Sequence, residues 1–399
     1  MNPSKRVTII IPTYNEKENI SPVVNSLSRQ FKQLKKYDFS ILFVDDNSPD
    51  GTASEIKHVM RVHPEVKLYQ NVRKGGLGRA YKKGMRYALD KLGSDVVFEF
   101  DADLSHDPTK IGSFLQQIES GSDMVLGSRY IKGGGIPQNW PLIRKLLSVV
   151  GNAAINIILF DFSLRDWTTG YRAIKREVVE KIVPELDHNA FKGYTWQIGF
   201  LIKSRQSGFK VSEIPFIFRD REKGKSKLGP EFIVNTLKYI LKVRINSIVT
   251  SRIFKFVVVG GIGAFVQLTS LIVWRKTVSP ALTLGFITPF QIAFFLSIET
   301  AIISNFILSN IWTFADRKLK PRDVPKKFLT FNLTSGGSIL IQQIVALVGE
   351  NTLGLFPLFT LPLAQITLDT GTLYAVTGIL IGMFWNFFAY SRIIWRKQK

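Results

Sequence analysis

Two carboxylates one residue apart, Asp101 and Asp103, follow directly on an apolar run, Val96-Val97-Phe98-Glu99-Phe100, that reads as a buried β-strand. At the carboxyl end of a strand such a pair can clasp a hard divalent cation and leave positions on it open for diphosphate oxygens. An isolated Asp-x-Asp is commonly a solvated turn, so the weight falls on its company. Polar residues crowd the ends of three further apolar runs: Pro12-Thr13-Tyr14-Asn15-Glu16, Asp45-Asp46-Asn47-Ser48 and Gly127-Ser128-Arg129-Tyr130. One tip of that kind is an ordinary helix cap. Four converging tips make a site.

Convergence requires a sheet, and the pattern supplies one. Short β-branched runs near residues 7–11, 40–44, 66–69, 96–100 and 124–126 alternate with amphipathic helical stretches. That alternation predicts an α/β fold with a mostly parallel sheet and helices on both faces, its ligand lying outside the carboxyl ends of the strands. The apolar run at the start is too short for a signal peptide and reads as the first strand.

From Phe256 onward the chain reads as membrane. Residues 256–274, 286–312, 328–348 and 373–390 are apolar stretches of about the length that crosses a ~30 Å hydrocarbon layer at ~1.5 Å per residue. The formal charge of +22 would suit nucleic acid, but the basic residues gather beside these spans. Arg252 and Lys255 precede the first, Arg317, Lys318, Lys320, Arg322, Lys326 and Lys327 separate the second from the third, and Arg392, Arg396, Lys397 and Lys399 follow the fourth. The opposite connections hold Arg275 and Lys276 in one and no Lys or Arg between Gly349 and Thr372 in the other. The positive-inside rule then places the amino-terminal part on the cytoplasmic face, and the excess charge meets anionic headgroups with no nucleic acid required. The absence of cysteine excludes disulfides and thiolate chemistry and fits a cytoplasmic active site.

Two segments, 141–159 and 230–251, carry large apolar faces with scattered Lys and Arg and are read as interfacial amphipathic helices. The membrane region also repeats: Arg252, Phe256, Gly261 and Gln267 recur as Lys327, Phe331, Gly336 and Gln342, and Asn305-Phe306 as Asn386-Phe387. Two helix hairpins running in the same direction would repeat in this way, with the Asn and Gln pairs bonding across helices.

Residues 7–248 resemble the inverting family-2 glycosyltransferases with a GT-A, Rossmann-like fold, and within them the dolichyl-phosphate or polyprenyl-phosphate mannose synthases. The resemblance rests on the four tips, extended to Asp45–Thr52 and Asp101–Pro108. Further strings are Gly76-Leu77-Gly78-Arg79-Ala80-Tyr81, Gly133-Gly134, Asn139-Trp140-Pro141, Thr169-Gly170-Tyr171-Arg172-Ala173 and Asp220-Arg221 with Gly224-Lys225-Ser226-Lys227-Leu228. The carboxyl-terminal part resembles the GtrA-like membrane domain through its Gly-rich first span, the Asn-Phe pairs and Trp312-Thr313-Phe314. The implied organisation is a catalytic domain over 1–229, an interfacial helical segment over 230–251 and a four-helix transmembrane domain over 252–399.

Carried over position by position, the resemblance implies Mg²⁺ or Mn²⁺ on Asp101 and Asp103. Ser105 stands where several relatives have a ligating Gln. Pro12, Tyr14, Asn15, Glu16, Asp45 and Asp46 match positions that hold base and ribose; with Asp101, Ala102, Asp103 and Arg129 they form the implied nucleotide-sugar site. Arg221, Ser226 and Lys227 match the acceptor-phosphate motif, and Asp103, Arg129 and Arg221 are the implied catalytic residues. His106, beside the carboxylates, reads as a hydrogen-bonding neighbour in preference to a ligand.

The implied reaction moves mannose from GDP-mannose to dolichyl or polyprenyl phosphate at the bilayer. Relatives often carry an acidic residue two positions after the Gln matching Gln197, where this chain has Gly199. Its lack agrees with a nucleophile that arrives ionised. A UDP-glucose-dependent polyprenyl-phosphate glucosyltransferase shares the same motifs and stays open. So do a membrane region that moves lipid-sugar, for which Glu299 is the mid-span carboxylate to inspect, and a homo-oligomer through the transmembrane domain.

Overall fold

The computed structural model describes residues 4–186, 194–220, 231–279, 289–354, 356–361 and 366–396, and the chain divides into two compact units, Met1–Arg244 and Ile245–Lys399. In the first unit β1 (Lys5–Thr13), α1 (Lys17–Phe31), β2 (Tyr37–Asp45), α2 (Thr52–Val59) and β3 (Val66–Gln70) are followed by α3 (Leu77–Asp90), β4 (Val96–Glu99), α4 (Ile111–Glu119) and β5 (Met124–Ser128). Then come α5 (Leu142–Leu159), β6 (Arg172–Lys175), α6 (Arg176–Ile182), α7 (Tyr194–Gln206), β7 (Val211–Pro215) and α8 (Glu231–Thr250), which runs into the second unit.

All five expected strands form, and two more join them in a seven-stranded sheet of order β3-β2-β1-β4-β6-β5-β7. The sheet is mixed, because β6 runs antiparallel to both β4 and β5 while the other pairs are parallel. Its two faces carry separate cores. Ile10, Leu42, Val44 and Val97 face Tyr81, Met85 and Ala88 of α3 and the aromatic side of α7. Ile9, Ile11, Phe43 and Phe98 face Ile20, Val24 and Leu27 of α1 and Phe114 of α4. Gly84 lets α3 come down on the sheet; a Cβ there would stand 2.6 Å from Ile10 Cγ2 and 2.9 Å from Val44 Cγ2.

Alpha-helix α5 is built inside out. Only Asn152, Ile155 and Asn156 along it are buried, whereas Leu142, Ile143, Leu146, Leu147, Val149, Val150 and Ile157 are exposed. Its polar side fastens it to the domain. Asn152 Oδ1 accepts the Trp167 N–H at 2.7 Å, Asn156 Oδ1 accepts from Trp167 Nε1, and the hydroxyls of Ser148 and Tyr130 meet. Although long and apolar enough to cross a membrane, α5 is a surface helix of the first unit. Helix α8 is more ordinary: Ile240 is buried in the core beside Tyr239 and Val243, and Val234, Leu237 and Leu241 stay exposed.

The second unit holds α9 (Arg252–Thr277), α10 (Pro289–Leu308), α11 (Val324–Leu353), the antiparallel hairpin β8 (Pro357–Leu361) and β9 (Ile366–Asp369), and α12 (Thr370–Ala389). Among its described residues Arg252–Trp274 and Phe295–Thr313 are long and apolar enough to cross a membrane. The pairs α9/α10 and α11/α12 share a detail: the second helix of each ends in a π-helical turn, Ser309–Thr313 and Tyr390–Ile394. A lysine from the first helix caps it, Lys255 Nζ on Trp312 O and Lys327 Nζ on Ile393 O. The expected cross-helix bonds of the two asparagines are not made by their carbonyl oxygens. Asn305 Oδ1 and Asn386 Oδ1 are buried without a hydrogen-bond partner, and Asn305 fills the gap beside Gly263, where a Cβ would lie 2.2 Å from that oxygen. At Asn305 the helices pack closely against a small residue. Glu299 of α10 accepts a 2.7 Å hydrogen bond from Asn332 Nδ2 of α11, so this mid-helix carboxylate joins the two hairpins.

Candidate active site

The carboxyl ends of β1, β2, β4 and β5 gather the four polar tips on one edge of the sheet. Three of the four tips turn through backbone that disfavours most side chains: Asn15, Asn47 and Leu104 have φ of 59°, 60° and 59°. Hydrogen bonds tie the tips together. Asn15 N donates to Ser48 Oγ at 3.0 Å and Glu16 N to Thr52 Oγ1 at 3.0 Å, joining the β1 and β2 loops. Pro12 is half-buried between the buried Ile11 and Thr13 at the end of β1, and the Tyr14 ring lies 3.7 Å from Lys74 Nζ.

The carboxylates of Asp45 and Asp46 serve the loops around them. Asp45, fully buried, accepts from Thr13 Oγ1, Ser48 Oγ and Ser48 N at 3.1, 2.6 and 3.0 Å. Asp46 accepts from Asn71 Nδ2 and from the N–H groups of Gly75 and Gly76 at 2.6, 2.9 and 2.8 Å. It thereby draws the basic loop Arg73-Lys74-Gly75-Gly76 to the rim of the site. Through these bonds the two aspartates shape the loops at this end of the strand tips.

Asp101 and Asp103 flank the buried Ala102 on a loop that folds back on itself. The Asp101 carboxyl is about a third exposed, and Asp103 Oδ1 accepts from Ser105 N at 3.1 Å. Ser105 Oγ is buried beside them without a hydrogen-bond partner. Among the described residues no three His, Cys, Asp or Glu side chains converge as a closed metal cage. Two accessible hard oxygens, with an unengaged hydroxyl next to them, fit Mg²⁺ or Mn²⁺ sharing its shell with a diphosphate.

Arg129 stands at the β5 tip, held hard. Its Nε and Nη2 donate to Asp166 Oδ2 and Oδ1 at 2.7 Å each, Nη2 also reaches Thr168 Oγ1 at 2.7 Å, and the Asp166 carboxyl is fully buried. Burial alone would push Asp166 up, but the Arg129 guanidinium and the N–H groups of Arg129 and Thr168 outweigh it and hold the carboxyl below its ordinary range. Thr168 also receives Asn152 Nδ2 of α5 at 3.4 Å, which links the inside-out helix to the site.

Sequence reasoning missed the layer behind the Asp-x-Asp. Glu99 of β4 sits opposite Arg172 of β6 in the sheet register, both fully buried, with Arg172 Nε 3.6 Å from Glu99 Oε2 and Trp196 Nε1 donating to Glu99 Oε1 at 2.8 Å. Burial raises Glu99 above the ordinary carboxyl range, against the pull of Arg172 and the Trp196 bond. The Arg172 hydrogen bonds go to carbonyls, Nε to Thr169 O, Nη1 to Gln197 O and Nη2 to Trp167 O, tying the start of α7 to the sheet. The available signal was a single acidic residue inside an otherwise apolar strand. Arg221, Ser226 and Lys227 lie outside the described residues.

Comparison with known proteins finds matches in both units. The family Glycosyl transferase family 2 matches residues 8–183, and the GtrA/DPMS transmembrane domain matches residues 255–395. The dolichol-phosphate mannosyltransferase of Pyrococcus furiosus is 34% identical over 344 residues, 85% of this chain and 89% of its own. The polyprenol monophosphomannose synthase of Mycolicibacterium smegmatis is 38% identical over 230 residues, 57% of this chain and 83% of its own. Among solved structures, a mannosyltransferase from Pyrobaculum calidifontis in complex with GDP-Man and Mn²⁺ aligns over 96% of this chain and 88% of its own, with 15% identity and a TM-score of 0.40. An α/β sheet with its polar strand tips gathered, a transmembrane domain of known type and kinship along most of the length lead to one assignment: the chain belongs to the family-2 glycosyltransferases and is a membrane protein of the group that carries a GtrA/DPMS domain.

Proposed function

We propose that this glycosyltransferase moves mannose from GDP-mannose to the phosphate of a dolichyl or other polyprenyl phosphate, giving the lipid-linked mannose and GDP. The observation that carries the reading is kinship along 85% of the chain with a protein named for that transfer. An oxygen of the acceptor phosphate attacks the anomeric carbon while the bond to the diphosphate breaks, inverting an α linkage to β. The acceptor is already ionised at neutral pH, so no side chain has to take a proton from it, and Gly199 costs the enzyme nothing.

Asp101 and Asp103 would hold Mg²⁺ or Mn²⁺, with Ser105 Oγ the nearest further oxygen on the same loop. When bound, the ion neutralises charge developing on the departing diphosphate. Asp45 and Asp46 keep the base and ribose end in shape, and Pro12, Tyr14, Asn15 and Glu16 line it. Arg129 acts as a fixed member of the rim: paired with Asp166, it contributes directed N–H groups more than net charge. Screening of the acceptor phosphate falls to Arg221, Ser226 and Lys227 of the matched motif. The catalytic unit works on the cytoplasmic face, with the basic connections of the second unit on the same side and its helices crossing four times.

The decisive experiment supplies purified full-length protein with Mn²⁺ or Mg²⁺, a polyprenyl phosphate and labelled GDP-mannose or UDP-glucose in separate reactions. Mannolipid from GDP-mannose alone is the expected product; glucolipid from UDP-glucose instead would replace this reading.

Helix α5 makes the substrate's lipid part of the reading, because its outward face is apolar where a soluble domain would be polar. Lying on a bilayer, that face would bring the site to the depth of a lipid phosphate. The double variant Leu147→Glu and Val150→Glu is expected to lower kcat/KM about tenfold for a long-chain acceptor in vesicles while leaving a short, water-soluble prenyl phosphate unaffected, since two exposed side chains change and no core contact does. Equal rates on the vesicle substrate would remove α5 from the membrane surface.

A further inference from the structure

We propose that His106 is a positioning residue for the metal site, acting through Asp101; this rests on reading Asp101 and Asp103 as the holders of a divalent cation. The His106 imidazole is 2% exposed and accepts the Asp101 backbone N–H on Nδ1 at 3.1 Å. In a neutral imidazole with one nitrogen accepting, the proton sits on the other, and His106 Nε2 lies 3.6 Å from Asp101 Oδ2. Both ring nitrogens therefore address one residue, one its backbone and the other its carboxylate.

The place of that N–H in the chain explains why it needs a dedicated acceptor. Strand β4 ends its ladder against β1 at Glu99, and Phe100 N still reaches Ile10 O at 3.1 Å. The next N–H, that of Asp101, has left the sheet, and the direction of its peptide plane sets where the Asp101 side chain starts. The loop then reverses through Leu104, at φ 59°, which returns His106 to this N–H five residues on. Asp103 receives its own bond from Ser105 N inside the same reversal. Each proposed metal-holding carboxylate is thus oriented by a hydrogen bond closed within the loop.

An acceptor can fix a peptide only if it is itself fixed. The His106 ring stacks on Tyr171 with centroids 4.8 Å apart and planes 9° from parallel. Phe100 and Phe216 meet it edge-on at 5.4 and 6.0 Å. The Tyr171 hydroxyl in turn donates to Asp107 O at 2.9 Å, just beyond the loop. Such outer partners of metal-holding groups typically govern affinity by about 10–100-fold.

Three variants separate the acceptor from the packing. His106→Phe keeps a ring in the aromatic box without an acceptor; His106→Asn places an amide oxygen where Nδ1 was; His106→Gln carries its oxygen toward the Nε2 position. The affinity for Mn²⁺ is read from the paramagnetic resonance of the free ion, with full-length protein in detergent and GDP present, alongside melting temperature. His106→Phe is expected to bind Mn²⁺ about 10–100-fold more weakly and to need correspondingly more of it for turnover, with kcat at saturating Mn²⁺ within about threefold of wild type. His106→Asn should return Mn²⁺ affinity to within about threefold of wild type, and His106→Gln should not. Wild-type affinity in His106→Phe, or equal behaviour of the Asn and Gln variants, overturns the positioning role. Wild-type protein that takes up no Mn²⁺ overturns the metal reading itself, and this role with it.

Discussion

Asp103→Ala is expected to reduce mannosyl transfer by about a thousandfold or more while the protein stays folded, because it removes one of the two accessible carboxylates proposed to hold the ion. Losing a group that stabilises charge in a transition state typically costs ~10²–10³ in rate, and a carboxylate that holds the stabilising ion stands at the upper end. The side chain also has a structural duty, since Oδ1 accepts from Ser105 N at 3.1 Å. Asp103→Asn keeps an oxygen for that bond and deletes only the charge. If both variants lose transfer alike with unchanged melting temperature, the charge is what matters. Recovery of most activity in the Asn variant would assign the residue to loop geometry and move the site elsewhere.

The second large effect is on stability. Asp166→Ala should destabilise the catalytic unit by about 3–5 kcal/mol, because it strands the Arg129 guanidinium, itself only 9% exposed, in a buried setting. Thermal or denaturant unfolding of the full chain would measure it, and a loss under ~1 kcal/mol would show the pair to be dispensable. The pH dependence has a definite sign. The Asp166 carboxyl is held below its ordinary value, so its contribution is fully present above the unfolded pKa of about 4 and is lost as pH falls through the lower folded value. The stability gap between wild type and Asp166→Asn should be flat above about pH 5 and narrow only in stronger acid.

Much of the site was legible because its signals are local. Strands β1 to β5 announce themselves by β-branched runs, and the polar residues that end four of them are visible as breaks in those runs. Strand β6 hides because four residues, Arg172-Ala173-Ile174-Lys175, offer no apolar alternation, and its arginine is buried by a partner on another strand. Strand β7, Val211–Pro215, is an edge strand with only Ile214 buried, so little in its pattern distinguishes it from a loop. The grip of Asp166 on Arg129 could not be read at all from residue types, and His106 was legible as a hydrogen-bonding neighbour of the carboxylates but not as the acceptor of the Asp101 N–H, since both depend on how loops return in space. Asp45 and Asp46 were correctly placed at the tip; what the sequence could not tell is that their oxygens are turned to neighbouring loops. For α5 the pattern revealed an amphipathic helix but not which side faces the domain. Periodicity defines an axis of polarity and leaves its sign to the surroundings.

That sign has a practical outcome. A helix clipped on by asparagine amides and hydroxyls, with its oily side outward, keeps its footing in detergents that loosen greasy contacts, yet it gives the catalytic unit a sticky coat in plain buffer. Colloidal behaviour, more than folding, then limits how this enzyme can be handled: a version cut free of its membrane part would need micelles, nanodiscs or a rewritten α5 surface to remain dispersed.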